Sequence, residues 1–432
     1  MDILFIAPAF QPYCAVAATR PAACARYLIS QGHSVRILAA RNTRYRPMTD
    51  PGIDPSLITY VDMWHPQDVA AKLMRPFKRR RKSDVQTSGR SVGGSPAPIP
   101  KVSPLKAAFY DAFDYTFNYP DSYMGWIKNA KRAGAGLIND RRPDVIFSSG
   151  PPHSANVVAA ALTEQFDVPW VAEYRDLWMD HPYHVPGAIR RFFEERLEMR
   201  TVSKANALVA VSEDACANMR ARFHKECTLS YNGFDPALFD KTATPQPLDP
   251  KKLTIVYAGS FYVRTRTPEP LFAALKALNA SPDEIEVRCY SSTAGIVRSL
   301  AESYGLEAFV KVFPSIPNEE VLAIQRQADV LLLMRWDDPR EEGVIPGKVF
   351  EYIGADRPIL SIGRTTGEVA ALLEGRADTQ LVSDTNEICR VLRTWLEQRK
   401  SGRLPDVGWD KRDIFTRARQ FEKVERALLS VV

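Results

Sequence analysis

Short, largely apolar runs alternate with amphipathic helical patterns along most of this chain, and no other feature constrains its fold as tightly. Ile3–Ala7 is followed by a helical pattern over Arg20–Gln31 that stops at Gly32, and Ser34–Ala40 is the next run. Asp144–Ser148, Trp170–Glu173 and Ala207–Val211 repeat the arrangement. Runs without polar alternation belong to strands buried on both faces, which a parallel sheet covered by helices provides. A second series begins at Leu253. Its strands are Leu253–Tyr257, Ile285–Tyr290, Val310–Phe313 and Val330–Met334, and its helices are Pro268–Leu278, Thr293–Tyr304 and Asn318–Gln327. The pattern predicts two doubly wound α/β units, whose ligands gather beyond the carboxyl ends of the strands.

Length agrees with that reading, since 432 residues exceed what one ordinary core supports. A turn at Asn232-Gly-Phe-Asp-Pro and a proline-rich run over Thr244–Pro250 separate the two series. The predicted division is a first domain over 1–240, a second over 250–410 and a closing helical segment over 411–432. An insertion near 66–105 interrupts the first domain. Within it, 83–104 is rich in Ser, Gly and Pro and reads as a mobile loop. The aromatic-dense stretch from Phe109 to Trp126 reads as core packing of a helical excursion, or else as the lining of an acceptor groove or a lipid contact.

The formal charge of +6 is concentrated. Residues 72–82 carry seven basic and no acidic side chains, leaving the rest of the chain close to neutral. With Leu73, Met74 and Phe77 interleaved, the cluster suits an anionic membrane surface, each charge contributing about 1 kcal/mol there. The alternative is a solvated loop. No nucleic-acid-binding module accompanies it, so no nucleic-acid partner is expected. No run approaches the roughly 20 apolar residues of a spanning helix, and the opening Met-Asp-Ile-Leu-Phe-Ile-Ala reads as a buried strand rather than a signal peptide. A cytoplasmic protein, peripheral on the inner face of the membrane through 72–82, is expected. The six cysteines (14, 24, 216, 227, 289 and 389) are scattered and read as buried free thiols.

The loop after Ile6 lacks the G-x-G-x-x-G of dinucleotide-binding proteins, and no P-loop occurs, which removes dehydrogenases and P-loop NTPases. The richest segment runs from Glu342 to Leu360: a glycine-bracketed loop (Gly343, Val344, Ile345, Pro346, Gly347), then Lys348, Glu351 and the apolar run Pro358–Ile362. A loop that opens a helix presents backbone N–H groups to an anion, and Lys348 adds a point charge, which suits a diphosphate. Glu351 is placed to accept hydrogen bonds from sugar or ribose hydroxyls. These residues point to a nucleotide-sugar site. Gly259 allows close backbone approach after the first strand of the second series, and Arg264 or Arg266 can neutralise the same diphosphate.

In the first series, Ser148-Ser-Gly-Pro-Pro-His153 puts an imidazole at a strand's carboxyl end, and Asp176 closes another strand. Asp176 could orient or deprotonate an acceptor hydroxyl, or else pair with Arg175 or cap a helix. Arg20 reads as a contact for an anionic acceptor or as a surface arginine at a helix start.

Pro346, Lys348, Glu351 and Tyr352, followed by Pro358-Ile-Leu360, resemble the donor-site signature of family 4 retaining glycosyltransferases. Counting back eight from Glu351, where the family carries its first glutamate, lands on Gly343, so Glu342 is one position early. Arg20, Gly32-His33-Ser-Val35, the strand-end His153, Arg175-Asp176-Leu-Trp178, Glu213, Gly259 with its basic neighbours and Phe313–Pro317 are similar to further family features in the same order. Where most members have glycines, this chain has Ala15, Val16, Ala17 and Ala18. Ser212 as a helix cap accounts equally for the segment at Glu213.

The resemblance implies a GT-B fold: two facing Rossmann-like domains with parallel sheets, and a C-terminal helix returning to the N-terminal domain. It implies an enzyme that moves a sugar from a nucleotide-sugar donor to a saccharide or lipid-linked saccharide with retention, in polysaccharide or glycan synthesis. No cofactor and no metal are implied. Donor contacts fall to Gly259, Arg264, Arg266, Glu342, Gly343, Val344, Ile345, Gly347, Lys348 and Glu351. Acceptor contacts fall to Arg20, His153 and Asp176, and the chemistry to His153, Asp176, Lys348 and Glu351. The alternatives are a nucleotide-sugar 2-epimerase on the same fold and a non-catalytic scaffold subunit.

Overall fold

The computed structural model describes residues 1–13, 17–44, 50–65, 68, 118–240, 246–262 and 265–432. The basic cluster at 72–82, the loop at 83–104, the aromatics from 109 to 117, Ala15, Val16, Cys14 and Arg264 lie outside the described residues.

Thirteen strands are described: β1 (Asp2–Ile6), β2 (Ser34–Arg41), β3 (Ile58–Asp62), β4 (Val145–Gly150), β5 (Trp170–Tyr174), β6 (Ala207–Ala210), β7 (Cys227–Leu229), β8 (Leu253–Ala258), β9 (Ile285–Tyr290), β10 (Val310–Phe313), β11 (Val330–Met334), β12 (Ile359–Ile362) and β13 (Thr379–Val382). They form a seven-stranded sheet in the order β3-β2-β1-β4-β5-β6-β7 and a six-stranded sheet in the order β10-β9-β8-β11-β12-β13. Pairing is parallel, with Ile3 opposite both Val35 and Val145, and Ile255 opposite both Val287 and Val330. β1, β4, β5, β6 and β11 are buried along their whole length, as strands covered on both faces are. The sequence reading missed β3, β7 and β13. All three are edge strands of three to five residues, with partly exposed positions and no apolar run.

Both sheets have a topological switch, between β1 and β4 and between β8 and β11, where chains leave their strands in opposite directions and open a crevice at the carboxyl ends. Packing divides the chain into two compact units: Met1–Met179 with Pro186–Asn206 and Val431–Val432, and Asp180–Val185 with Ala207–Ser430. The second sheet carries an apolar core on each face, one built on Leu253, Ile255, Phe272, Val287 and Leu392, the other on Val256, Leu331, Phe350, Tyr352 and Ile359. Each such side chain contributes about 1.5–3 kcal/mol by leaving water.

The segment after 411 is not one helix. A 3-10 turn, Arg412–Phe415, leads through the extended Thr416 into the helix Arg417–Leu429. That helix packs on β6 and β7, with Gln420 accepting from Ser230 Oγ through its carbonyl (3.0 Å) and from the Tyr231 N–H through Oε1 (2.9 Å). The C-terminal helix thus lies against two strands of the seven-stranded sheet. Among the described residues Cys24, Cys216, Cys227, Cys289 and Cys389 are buried free thiols. On a helix and the strand that follows it, Cys216 and Cys227 meet with 3.3 Å between sulfurs.

Candidate functional site

In the second unit the carboxyl end of β8 leads directly to Gly259, whose N–H donates to the Tyr290 carbonyl (2.8 Å). Its φ of +152° is one that side-chain-bearing residues rarely adopt, and a Cβ there would lie 2.5 Å from the Lys348 ammonium. Lys348 is the first residue of the helix Lys348–Ala355, so its chain starts where backbone N–H groups have no helical partner. Its ammonium lies 5.3 Å from the ring centroid of Tyr257, whose hydroxyl donates to the Ser260 carbonyl (2.8 Å). Burial draws the Lys348 pKa below the ordinary lysine value; Glu351 opposes the shift and Arg266 adds to it. Glu351, one turn along the same helix, is partly exposed and accepts from Gln325 Nε2 (3.1 Å).

Arg266 stands beside this pair on the loop that folds back through the bridge between Tyr262 and Arg266. Its guanidinium donates to Glu341 Oε1 (2.9 Å) and to the Tyr183 hydroxyl (3.0 Å), and Tyr183 also donates to Glu341. Burial works against the Arg266 charge, yet Glu341 and Tyr183 hold its pKa above the ordinary value. Burial, aided by the bond to Glu341, pushes the Tyr183 hydroxyl up to about 12. Arg335 pins the surrounding loop by donating to the carbonyls of Arg364 (2.5 Å), Thr366 (3.1 Å) and Glu341 (3.2 Å).

The acidic residue that faces this cluster is therefore Glu341, fully buried, whereas Glu342 is exposed and turned to Arg364 and to Thr366 Oγ1 (3.3 Å). The sequence reading weighed Glu342 and passed over its neighbour. In the adjacent Glu-Glu pair, local pattern does not say which carboxylate turns inward. Gly343 packs against the Asp214 carboxylate, while a Cβ on Gly347 would meet nothing within 4 Å. Val344 and Ile345 are half-buried. Phe313 stacks on Tyr290 with centroids 4.8 Å apart at the end of β10.

The first unit holds a separate cluster at the ends of β4 and β5. Arg20 is buried, not a surface arginine, and both Nε (3.0 Å) and Nη2 (2.8 Å) donate to Glu173 Oε1. Ser149 Oγ donates to the other oxygen of that carboxylate. His153 stacks on Trp178, centroids 4.8 Å apart and planes 3° from parallel, with Asn156 Nδ2 3.4 Å from its Nδ1. Gly150 is small for a reason, since a Cβ would lie 3.0 Å from that imidazole. Arg175 donates to the carbonyls of Ala17 (2.6 Å) and Pro151, so it braces the loops, and Asp176 beside it is exposed. In the second unit, Ser212 caps the helix Glu213–Phe223 by accepting from the Ala215 N–H (3.2 Å), which gives Glu213 a place in the first turn.

Residues 17–226, nearly half the chain, match the family model described as the glycosyl transferase 4-like domain. Over 17–226 the chain is thus similar to that domain, and its fold is of GT-B type. No curated protein sequence matches it. Sucrose-phosphate synthase from Thermosynechococcus elongatus superposes with a TM-score of 0.64 at 15% identity, all of each chain covered. Anabaena Alr3699/HepE in complex with UDP gives 0.59 at 13% identity with the same coverage, and that protein is also solved with UDP-glucose. The UDP-GlcNAc 2-epimerase of Methanocaldococcus jannaschii gives 0.53 at 10%, again over all of both chains. The family match ends before Gly259, so the second unit's GT-B assignment rests on fold, and its cluster stands on its own geometry.

Proposed function

We propose that this GT-B protein transfers a sugar from a nucleotide-sugar donor to a saccharide or lipid-linked saccharide acceptor, with retention of anomeric configuration. The observation that carries the reading is the Gly259–Lys348 contact: a glycine that leaves room for backbone approach, against a half-buried ammonium at a helix start. Lys348 and Arg266 would hold the diphosphate, with Arg264 a further candidate, and the N–H groups at Gly347 and Lys348 would add their dipoles. Glu351 would accept from hydroxyls of the donor. The bond between the anomeric carbon and the phosphate oxygen breaks as the acceptor oxygen joins that carbon from the same face. The departing phosphate oxygen takes the acceptor's proton, so no protein nucleophile and no metal enter the scheme.

Acceptor selection falls to the first unit. There His153 is held rigid against Trp178, and Asp176 is exposed beside it in sequence order. Arg20, locked to Glu173, would set the shape of that surface rather than grip an anion. The 72–82 cluster is proposed as a contact with an anionic membrane, consistent with a lipid-linked acceptor. Among the described residues no helix is long and apolar enough to cross a membrane.

The test is a thermal-shift panel of nucleotide sugars, UDP-sugars first, followed by product analysis. A bound donor at about 100 times its Kd stabilises by about 2.7 kcal/mol. Transfer to an added saccharide with an unchanged anomeric configuration supports the reading. Inversion, release of a 2-epimer of the donor, or no donor binding at all would each overturn it.

A further inference from the structure

The helix Ala188–Val202 is built inside out. Its buried side carries Glu194, 0% exposed, and Glu198, 3% exposed, whereas Ile189 is 79%, Phe192 54% and Phe193 55% exposed. At 3.6 residues per turn, Ile189, Phe192, Phe193, Arg196, Met199 and Arg200 fall within an arc of about 120° on one face. The buried charges are accommodated: Arg190 Nε donates to Glu194 (2.7 Å), and the Tyr174 hydroxyl donates to Glu198 (3.4 Å). Nothing about the core therefore requires the two phenylalanines to face solvent. Large aromatics grouped on one exposed face mark a docking surface rather than scattered surface apolars.

We infer that this face lies on an anionic lipid surface. The charge around the apolar residues decides between occupants. Arg191 is matched by Glu195 (2.8 Å), but among the described residues Arg196 and Arg200 have no carboxylate partner, and the Arg196 guanidinium sits 5.4 Å from the Phe192 ring centroid. Arginines beside phenylalanines give a face that can enter the headgroup region while neutralising lipid phosphates. A second copy of the chain would bring two such positive faces together, which like-charge repulsion opposes. This surface is distinct from the 72–82 cluster and does not depend on the donor reading. It supplies the aromatic insertion that stable attachment needs beside electrostatic attraction.

The experiment uses the full chain and vesicles of phosphatidylcholine mixed with phosphatidylglycerol, with pure phosphatidylcholine alongside. The triple variant Ile189→Ser, Phe192→Ser, Phe193→Ser should lose about tenfold or more in partitioning to the mixed vesicles. The double variant Arg196→Gln, Arg200→Gln should lose binding to mixed vesicles more than to neutral ones. All five positions are on the exposed face, so thermal midpoint and donor binding should match the parent. Equal vesicle binding by variants and parent, or a parent that binds no vesicles, would overturn the inference. So would a parent dimer in light scattering that the triple variant splits without any effect on lipid.

Discussion

Two cations withdrawn from water, one in each unit, are treated in opposite ways. Arg20 is buried in the first unit and gives two hydrogen bonds to the buried Glu173. Lys348, half-buried in the second unit, has no ion pair among the described residues, and burial lowers its pKa. A buried charge is tolerated when a partner offsets its desolvation, and an unmatched one is a standing cost. The first arrangement is therefore complete within the fold, while the second leaves a charge for the diphosphate proposed above to match.

The sharpest way to break that contrast is to remove each cation in turn. Arg20→Ala leaves Glu173 charged and unmatched, a loss of about 3–5 kcal/mol in stability. The urea midpoint should fall with little change in slope. An unaltered midpoint would show that the pair is not structural. Lys348→Ala should do the reverse, keeping the midpoint while turnover falls by about 2–4 kcal/mol of transition-state stabilisation, roughly 30- to 1,000-fold. Near-normal kcat in that variant would sink the diphosphate assignment.

Gly259→Ala tests the space beside the lysine. Forcing a Cβ into that φ and against the ammonium should cost about 1–3 kcal/mol and weaken donor binding along with stability, seen by calorimetry and thermal melting. The carboxylates sharpen the comparison further. Glu351→Gln and Glu341→Gln should each impair donor binding or turnover, whereas Glu342→Gln, whose side chain is exposed and turned to Arg364, should leave both close to the parent. If Glu342→Gln is the most damaging, the assignment of the inward carboxylate is wrong.

The smallest effect is with pH. The lowered pKa of Lys348 means that its burial costs stability while it is charged, and the cost is relieved as pH rises through the folded value toward the unfolded one. Donor binding runs the other way, because only the ammonium attracts a diphosphate. Calorimetric titration with UDP between neutral and alkaline pH should show affinity falling in that window, and the dependence should vanish in Lys348→Ala.

Much of this protein was legible in its residue order. Continuous apolar runs such as Ile3–Ala7 and Val330–Met334 can only be strands buried on both faces, so the doubly wound sheets and their ligand-bearing ends follow locally. Lys348 and Glu351 stood out because loop, helix start and side-chain charge sit next to one another in the chain, whereas only the fold brings Gly259 against Lys348. Tertiary structure alone decided which of Glu341 and Glu342 turns inward, since that depends on Arg266, 75 positions away, and on Tyr183. It alone joined Arg20 to Glu173 across 153 positions, and Cys216 to Cys227. It also turned the helix Ala188–Val202 so that its glutamates face in and its phenylalanines face out. Local pattern records how a segment satisfies its own backbone and its burial; a charge's partner is chosen by whatever the completed fold brings within hydrogen-bonding distance.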